Sequence, residues 1–298
     1  MAKAALRFVT SGGIRLAMRE YGDPTAPTVL LVHGFPDNSA LWEPVARCLA
    51  GRFHVVTFDV RGHGDSGVPA NRAGYQLDLL ADDIVAMARE VSPEQPVHLV
   101  GHDWGSIQCW HTVSDPDRAR HFASYTSISG PCLDHTRPWV VDEIRGGRVL
   151  GVLNQLLHSG YILFFELPVL PELFWRIPTV RARFHATWQD ARNGLQLYRA
   201  NIVRRAVSQH ARRVTLPVQQ LVPRHDRYVL PVLVTGATRW CDQLWRRELD
   251  AGHWAPRSHP ELVAEAVSEF ADHVGGGPQS IALTKARVGG TFPPGERR

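Results

Sequence analysis

The run Gly101-His102-Asp103-Trp104-Gly105 constrains this chain more than any other feature of its sequence. It follows Val97-His98-Leu99-Val100, an apolar run with the character of a buried strand, and it opens residues 104–113, which read as a helix. A strand that turns straight into a helix holds the pivot residue, Asp103, in a strained backbone conformation, and side chains two positions away on either side would clash. Glycine at both flanking positions answers that demand. By composition, G-x-D-x-G arises by chance in roughly one chain in ten of this length, so it is the preceding strand that makes the signal specific.

The rest of the chain agrees with such a fold. Apolar runs at 28–32, 54–60, 97–101, 121–129, 218–222 and 244–249 read as strands, and 40–50, 77–91, 104–113 and 260–274 as helices. Residues 7–10 and 14–21, joined through Ser11-Gly12-Gly13, read as a hairpin. Alternating strands and helices predict an α/β protein with a mostly parallel, doubly wound sheet. The alternation breaks after Pro131. Residues 131–212 are helical and rich in aromatics, so a helical lid is expected before the last strands. The expected organisation is a core of residues 1–130 and 213–274, a lid (cap) at 131–212 and a flexible glycine-rich tail at 275–298.

Composition removes several classes. With 44% hydrophobic and 21% charged residues the chain is neither disordered nor collagen-like. No apolar run approaches the ~20 residues of a membrane span. The first ten residues have no apolar signal core, so export is not expected. Cys48, Cys109, Cys132 and Cys241 form no C-x-x-C pair, which argues against zinc and redox sites and fits a reducing cytoplasm. A net charge of +4 is too mild to imply nucleic acid. Lysine occurs only at Lys3 and Lys285, an arginine bias that fits the GC-rich coding of a bacterial genome.

Three further elements join the elbow. His33-Gly34-Phe35-Pro36 follows strand 28–32 and can present the Phe35 N–H to a developing oxyanion, with the Trp104 N–H as the second donor. Asp226, in P-R-H-D-R-Y-V, and His253, in A-G-H-W-A-P, each follow a predicted strand end, where open α/β sheets build their sites. The order nucleophile, acid, histidine suits a triad of Asp103, Asp226 and His253. His102, His225, Asp242 and Asp250 are rivals with weaker placement. Ser106 lacks glycines at elbow spacing and makes a poor alternative nucleophile.

The ordered set H-G-F-P, F-D-V-R-G-H-G-D-S (residues 58–66), G-H-D-W-G, a late aspartate and a final G-H-W resembles the α/β-hydrolase superfamily over about residues 5–273. Aspartate at the elbow makes it most similar to the epoxide hydrolase branch. A carboxylate is already ionised at neutral pH and suits displacement at an sp³ carbon better than attack on amides or esters. The resemblance implies a covalent alkyl-enzyme ester on Asp103, released by water that His253 deprotonates while Asp226 orients it. The product is a vicinal diol. It further implies a lipophilic epoxide as substrate, a detoxifying role, and no metal or organic cofactor. Tyr198, in N-G-L-Q-L-Y-R-A-N, and Tyr161, in S-G-Y-I-L-F-F-E, are similar to the two lid tyrosines that donate to an epoxide oxygen in that family. Core packing is the plainer reading of each. Phe35, Pro36, Trp104, Tyr161, Tyr198 and Trp254 are the expected substrate contacts.

Two other readings stay open. A haloalkane dehalogenase would share Asp103 and need only N–H donors for the halide; Phe35 is the wrong residue for that role, although the Trp104 indole remains available and Asn38 lies near the loop. A non-catalytic ligand-binding member of the fold would keep the architecture alone. Nine arginines between 176 and 213, against Glu172 and Asp190, read as a solvated face or, more sharply, as a face for an acidic partner or an anionic membrane with peripheral contact. The chain is expected to be a monomer or a homodimer.

Overall fold

The computed structural model describes residues 5–207 and 212–288. Its strands are β1 (Leu6–Ser11), β2 (Ile14–Tyr21), β3 (Thr28–Val32), β4 (His54–Phe58), β5 (Val97–His102), β6 (Phe122–Ile128), β7 (Val218–Pro223), β8 (Leu244–Leu249) and β9 (Arg287–Val288). They form one sheet in the order β1-β2-β4-β3-β5-β6-β7-β8-β9. From β4 to β8 every pairing is parallel, while the β1–β2 hairpin and β9 add antiparallel edges. β3 and β4 bury every residue, as strands covered by helices on both faces must.

Helices Leu77–Val91 and Trp104–Val113 pack on one face of the sheet, and Glu43–Leu49 and Pro260–Val274 on the other. Between β6 and β7 the described residues form six helices: Leu133–Arg145, Val149–His158, Gly160–Glu166, Leu170–Arg176, Pro178–Phe184 and Trp188–Val207. They roof the C-terminal ends of the strands, where loops from β3, β5, β7 and β8 converge.

The sequence reading of residues 275–298 as a flexible tail differs from the structure over its first part. Helix Ile281–Ala286 seats Leu283, fully buried, against Trp245 and Phe270, and β9 then pairs with β8. The apolar contact of one leucine with a tryptophan on the outer strand is what the glycine-rich composition concealed. Residues 289–298 lie outside the described residues.

The F-D-V-R-G-H-G-D-S loop is tied down by a buried ion pair. Arg61 Nε and Nη2 each donate to the Asp83 carboxylate at 2.6 Å, and Nη1 donates to the Gly74 carbonyl at 2.8 Å. Removing one partner would leave an uncompensated charge in the interior. Asp83→Ala is therefore expected to destabilise the fold by about 3–5 kcal/mol. Urea unfolding of the two proteins measures this; a loss below about 1 kcal/mol would mean that Arg61 finds water or another partner.

Candidate active site

Asp103 joins β5 to helix Trp104–Val113 with φ 53° and ψ −122°, left-handed backbone for a residue with a side chain. A Cβ at Gly105 would lie 2.1 Å from the Val32 carbonyl oxygen, and one at Gly101 would lie 2.7 Å from Ser106 Cα. The helix start thus presses directly on β3, and only glycine permits it. The turn aims the Asp103 carboxylate into the space below the lid.

Two groups hold that carboxylate. The Phe35 N–H donates to Oδ1 at 2.7 Å, and His253 Nε2 stands 3.5 Å from Oδ2. His33 keeps the Phe35 loop in place: its Nδ1 donates to the Gly34 carbonyl and its Nε2 accepts from the Val60 N–H, both at 2.9 Å. The Trp104 N–H opens its helix and so has no partner within it. On the far side of the imidazole, His253 Nδ1 lies 3.0 and 3.1 Å from the two Asp226 oxygens. Asp226 Oδ1 also accepts the N–H groups of Tyr228 (2.8 Å) and Val229 (3.1 Å).

Burial works to raise the pKa of Asp226, but the facing His253 charge and these donors bring it below the ordinary carboxylate value. Burial likewise works to lower His253, yet Asp226 and then Asp103 outweigh it and raise the imidazole to about 10. In the resting site His253 is an imidazolium between two carboxylates.

Tyr161, on helix Gly160–Glu166, and Tyr198, on helix Trp188–Val207, both line the cavity above Asp103. Their rings meet edge to face at 6.2 Å. Burial raises both pKa values, the Asp103 charge adds to each, and both phenols stay protonated at neutral pH. The cavity measures about 390 Å³ and is walled chiefly by aromatic rings, with Pro36 and Trp254 also on its lining.

Trp104 stands elsewhere than the sequence reading put it. Its side chain is buried behind Tyr198, with ring centroids 4.8 Å apart. It is absent from the cavity lining; a helix-first residue points back into the core while its neighbour Asp103 points out. The rivals also have other occupations. Ser106 Oγ is knotted in the core with Tyr125 (2.7 Å), Ser127 (2.9 Å) and the Gly130 carbonyl (2.8 Å). His225 pairs with Asp250 at the surface, Asp242 with Arg213, and Asn38 caps a turn and donates to Asp190 at 3.0 Å.

Two contributors, Tyr228 and Asp37, escaped the sequence reading, and a third, His102, entered it only as a rival histidine. The Tyr228 ring lies 4.8 Å from His253 and lines the cavity; its closeness to Asp226 in the chain was the only available signal. His102 is held neutral by burial and by His253, near 4, and donates Nε2–H to the His253 carbonyl at 2.8 Å. Asp37, buried and raised to about 6 by burial, accepts from the Trp254 indole at 2.9 Å and from Arg257, and so fixes one wall of the cavity.

The sequence profile of the α/β-hydrolase fold family matches residues 27–260. The "Probable oxidoreductase EphD" of Mycobacterium tuberculosis is 37% identical over 93% of this chain but only 51% of its own length, so the chain spans about half of that relative. Epoxide hydrolase 3 of Xenopus tropicalis is 24% identical over 87% of this chain and 75% of its own. Epoxide hydrolase A of M. tuberculosis is 36% identical over 54% of this chain and 48% of its own. Among solved structures, a Bacillus megaterium epoxide hydrolase in complex with an inhibitor superposes with a TM-score of 0.74 at 20% identity, over 89% of this chain and 100% of that one.

The electrostatics of His253 can be read directly. Its imidazole is expected to stay protonated through neutral pH and to titrate near 10, and Asp226→Asn is expected to move that midpoint down. Nitrogen chemical shifts of labelled histidine over a pH series measure both. A wild-type midpoint below 7 would contradict the imidazolium.

Proposed function

The chain belongs to the α/β-hydrolase fold family, and from that premise we propose that it is an epoxide hydrolase, opening a lipophilic epoxide with water to a vicinal diol. The observation that carries this reading is a pair of lid phenols sharing one cavity with an aspartate at the elbow. The epoxide hydrolase names borne by several relatives support it.

Asp103 Oδ1 is occupied by the Phe35 N–H, which leaves Oδ2 to attack. Oδ2 forms a bond to one epoxide carbon as that carbon's bond to oxygen breaks. The alkoxide takes a proton from the Tyr161–Tyr198 pair, which stabilises charge where it develops. The resulting ester has Oδ1 as its carbonyl oxygen, already beside Phe35 N–H. Alkylation removes the Asp103 charge, and with it part of what holds His253 protonated. His253 then sheds its proton, which balances the one the tyrosine pair has lost, and becomes the base for water. Hydroxide adds to the ester carbon, the oxyanion rests on the N–H groups of Phe35 and Trp104, and the alkyl oxygen leaves with the proton from His253.

A halide-releasing reading has less support, because the Trp104 side chain, its best donor, is buried behind Tyr198 and is not part of the cavity lining. A non-catalytic reading leaves the convergence of Asp103, His253 and Asp226 without a purpose.

Two sets of variants test the proposal. Asp103→Ala is expected to abolish turnover, whereas His253→Gln is expected to trap an ester on Asp103, seen as a mass increment of one substrate. Steady turnover by the histidine variant would contradict the two-step course. Phenylalanine at Tyr161 or at Tyr198 keeps the ring and is expected to slow alkylation by roughly 10²-fold, by analogy with one oxyanion-hole donor. Wild-type alkylation rates in both single variants, measured by stopped flow on a reactive aryl epoxide, would sink the epoxide assignment.

A further inference from the structure

The lid exposes an apolar surface that its own fold leaves uncovered. On helix Val149–His158, Leu150, Leu153 and Leu157 share one face and are 82%, 50% and 80% exposed. Leu163 on the next helix, and Leu170 and Leu173 on the one after, extend it across neighbouring helices that pack on one another in sequence. Single exposed leucines need no explanation, but a continuous field of them marks an interaction site.

Two observations say what meets it. The first is charge. Residues 144–185 carry five arginines against two glutamates. Glu172 is spent on Arg199, while Arg145 and Arg183 have no carboxylate partner among the described residues. The second is continuity with the cavity. Phe174, exposed beside Leu173, packs on Phe164 with ring centroids 5.7 Å apart, and both rings line the cavity over Asp103. The apolar field and the cavity share a wall.

We propose that this face of the lid seats on the surface of a lipid bilayer containing anionic lipid, so that a lipophilic molecule passes from the acyl layer into the cavity beside Phe174. Leucines bury in the interfacial layer while arginines meet the headgroups. No helix among the described residues is long and apolar enough to cross the membrane, so the contact is peripheral. A second copy of the chain would bring the same arginine excess against itself and is disfavoured by charge. The arginine run from 176 to 213 is not itself the face. Arg199 and Arg205 are buried in ion pairs, Arg212 pairs with Asp115, and Arg181 donates to lid carbonyls.

The seat does not depend on the epoxide reading, and binding can be measured without turnover. The full chain is mixed with vesicles of phosphatidylcholine, or of phosphatidylcholine with phosphatidylglycerol, and sedimented at low and high salt. Binding to the anionic vesicles is expected to be about tenfold or more tighter than to the neutral ones, and weaker at high salt. The double variant Leu150→Glu/Leu157→Glu changes two positions that are 82% and 80% exposed; it is expected to lose vesicle binding while keeping its melting temperature and its turnover of a soluble substrate. A wild-type chain that stays in the supernatant at low salt, or a double variant that binds as well as wild type, overturns the proposal. So does a wild-type dimer in sedimentation velocity that the double variant dissolves, because the face then belongs to a second copy.

Discussion

A carboxylate nearly sealed beneath aromatic rings is the group that the rest of this structure must accommodate. Burying an ion without partners costs many kcal/mol, and here each Asp103 oxygen is met. Oδ1 takes a backbone N–H and Oδ2 faces an imidazolium. Those partners come from the loop after β3 and the loop after β8, and the imidazolium is in turn met by Asp226 after β7. A parallel sheet is what makes this possible: it brings the ends of strands far apart in sequence to one edge. The strain at Asp103, with φ at 53°, is sustained by the packing of its helix against β3.

The lid is fixed to this edge along one stripe of its long helix. Asp190 accepts the Gly64 N–H at 2.7 Å, Asn193 donates to the Gly62 carbonyl at 2.7 Å, and Asn201 accepts the Leu77 N–H at 2.9 Å. These positions fall three and eleven residues from the first, near whole turns, and so face the core together. Gly194 lies on the same stripe. A Cβ there would sit 2.3 Å from a Phe35 ring carbon, so glycine lets the helix settle on the loop that holds Asp103. Tyr198, one turn further on, is thereby lowered over the carboxylate. Placement of this phenol is a property of helix packing rather than of a flexible loop, which is the condition for a donor to act with little reorganisation.

Much of this was legible because it leaves local marks. β3 and β8 and the helices at 77–91, 104–113 and 260–274 stand where apolar runs and periodicity put them. Glycines flagged the elbow, and strand ends flagged Asp226 and His253. What stayed hidden depends on contacts between segments distant in sequence. Tyr228 and Asp37 matter through His253 and Trp254, and no spacing announces either. The arginine run looked like one charged face because sequence does not reveal that Arg199 and Arg205 turn inward to meet Glu172, Asp134 and His111. The exposure of the lid leucines left no mark either, since a helix period shows which residues share a face but not whether anything lies against it.

The same electrostatics that stabilise Asp103 also time its chemistry. An imidazolium cannot take a proton from water, and with a pKa near 10 His253 is protonated in the resting site at neutral pH. That state is useful before alkylation, because a positive neighbour beside Oδ2 offsets the cost of burying the Asp103 carboxylate. It would be useless afterwards, were the pKa to stay where it is. But the pKa is held up partly by Asp103 itself, through charge and through the Oδ2 contact. Once Oδ2 carries an alkyl group that support is gone, while the burial that lowers the pKa remains. Asp226 still orients the ring, so the imidazole keeps its aim as it loses its proton. On the proposed chemistry, formation of the ester is therefore the event that turns His253 from a counter-ion into a base, with no movement of the fold required.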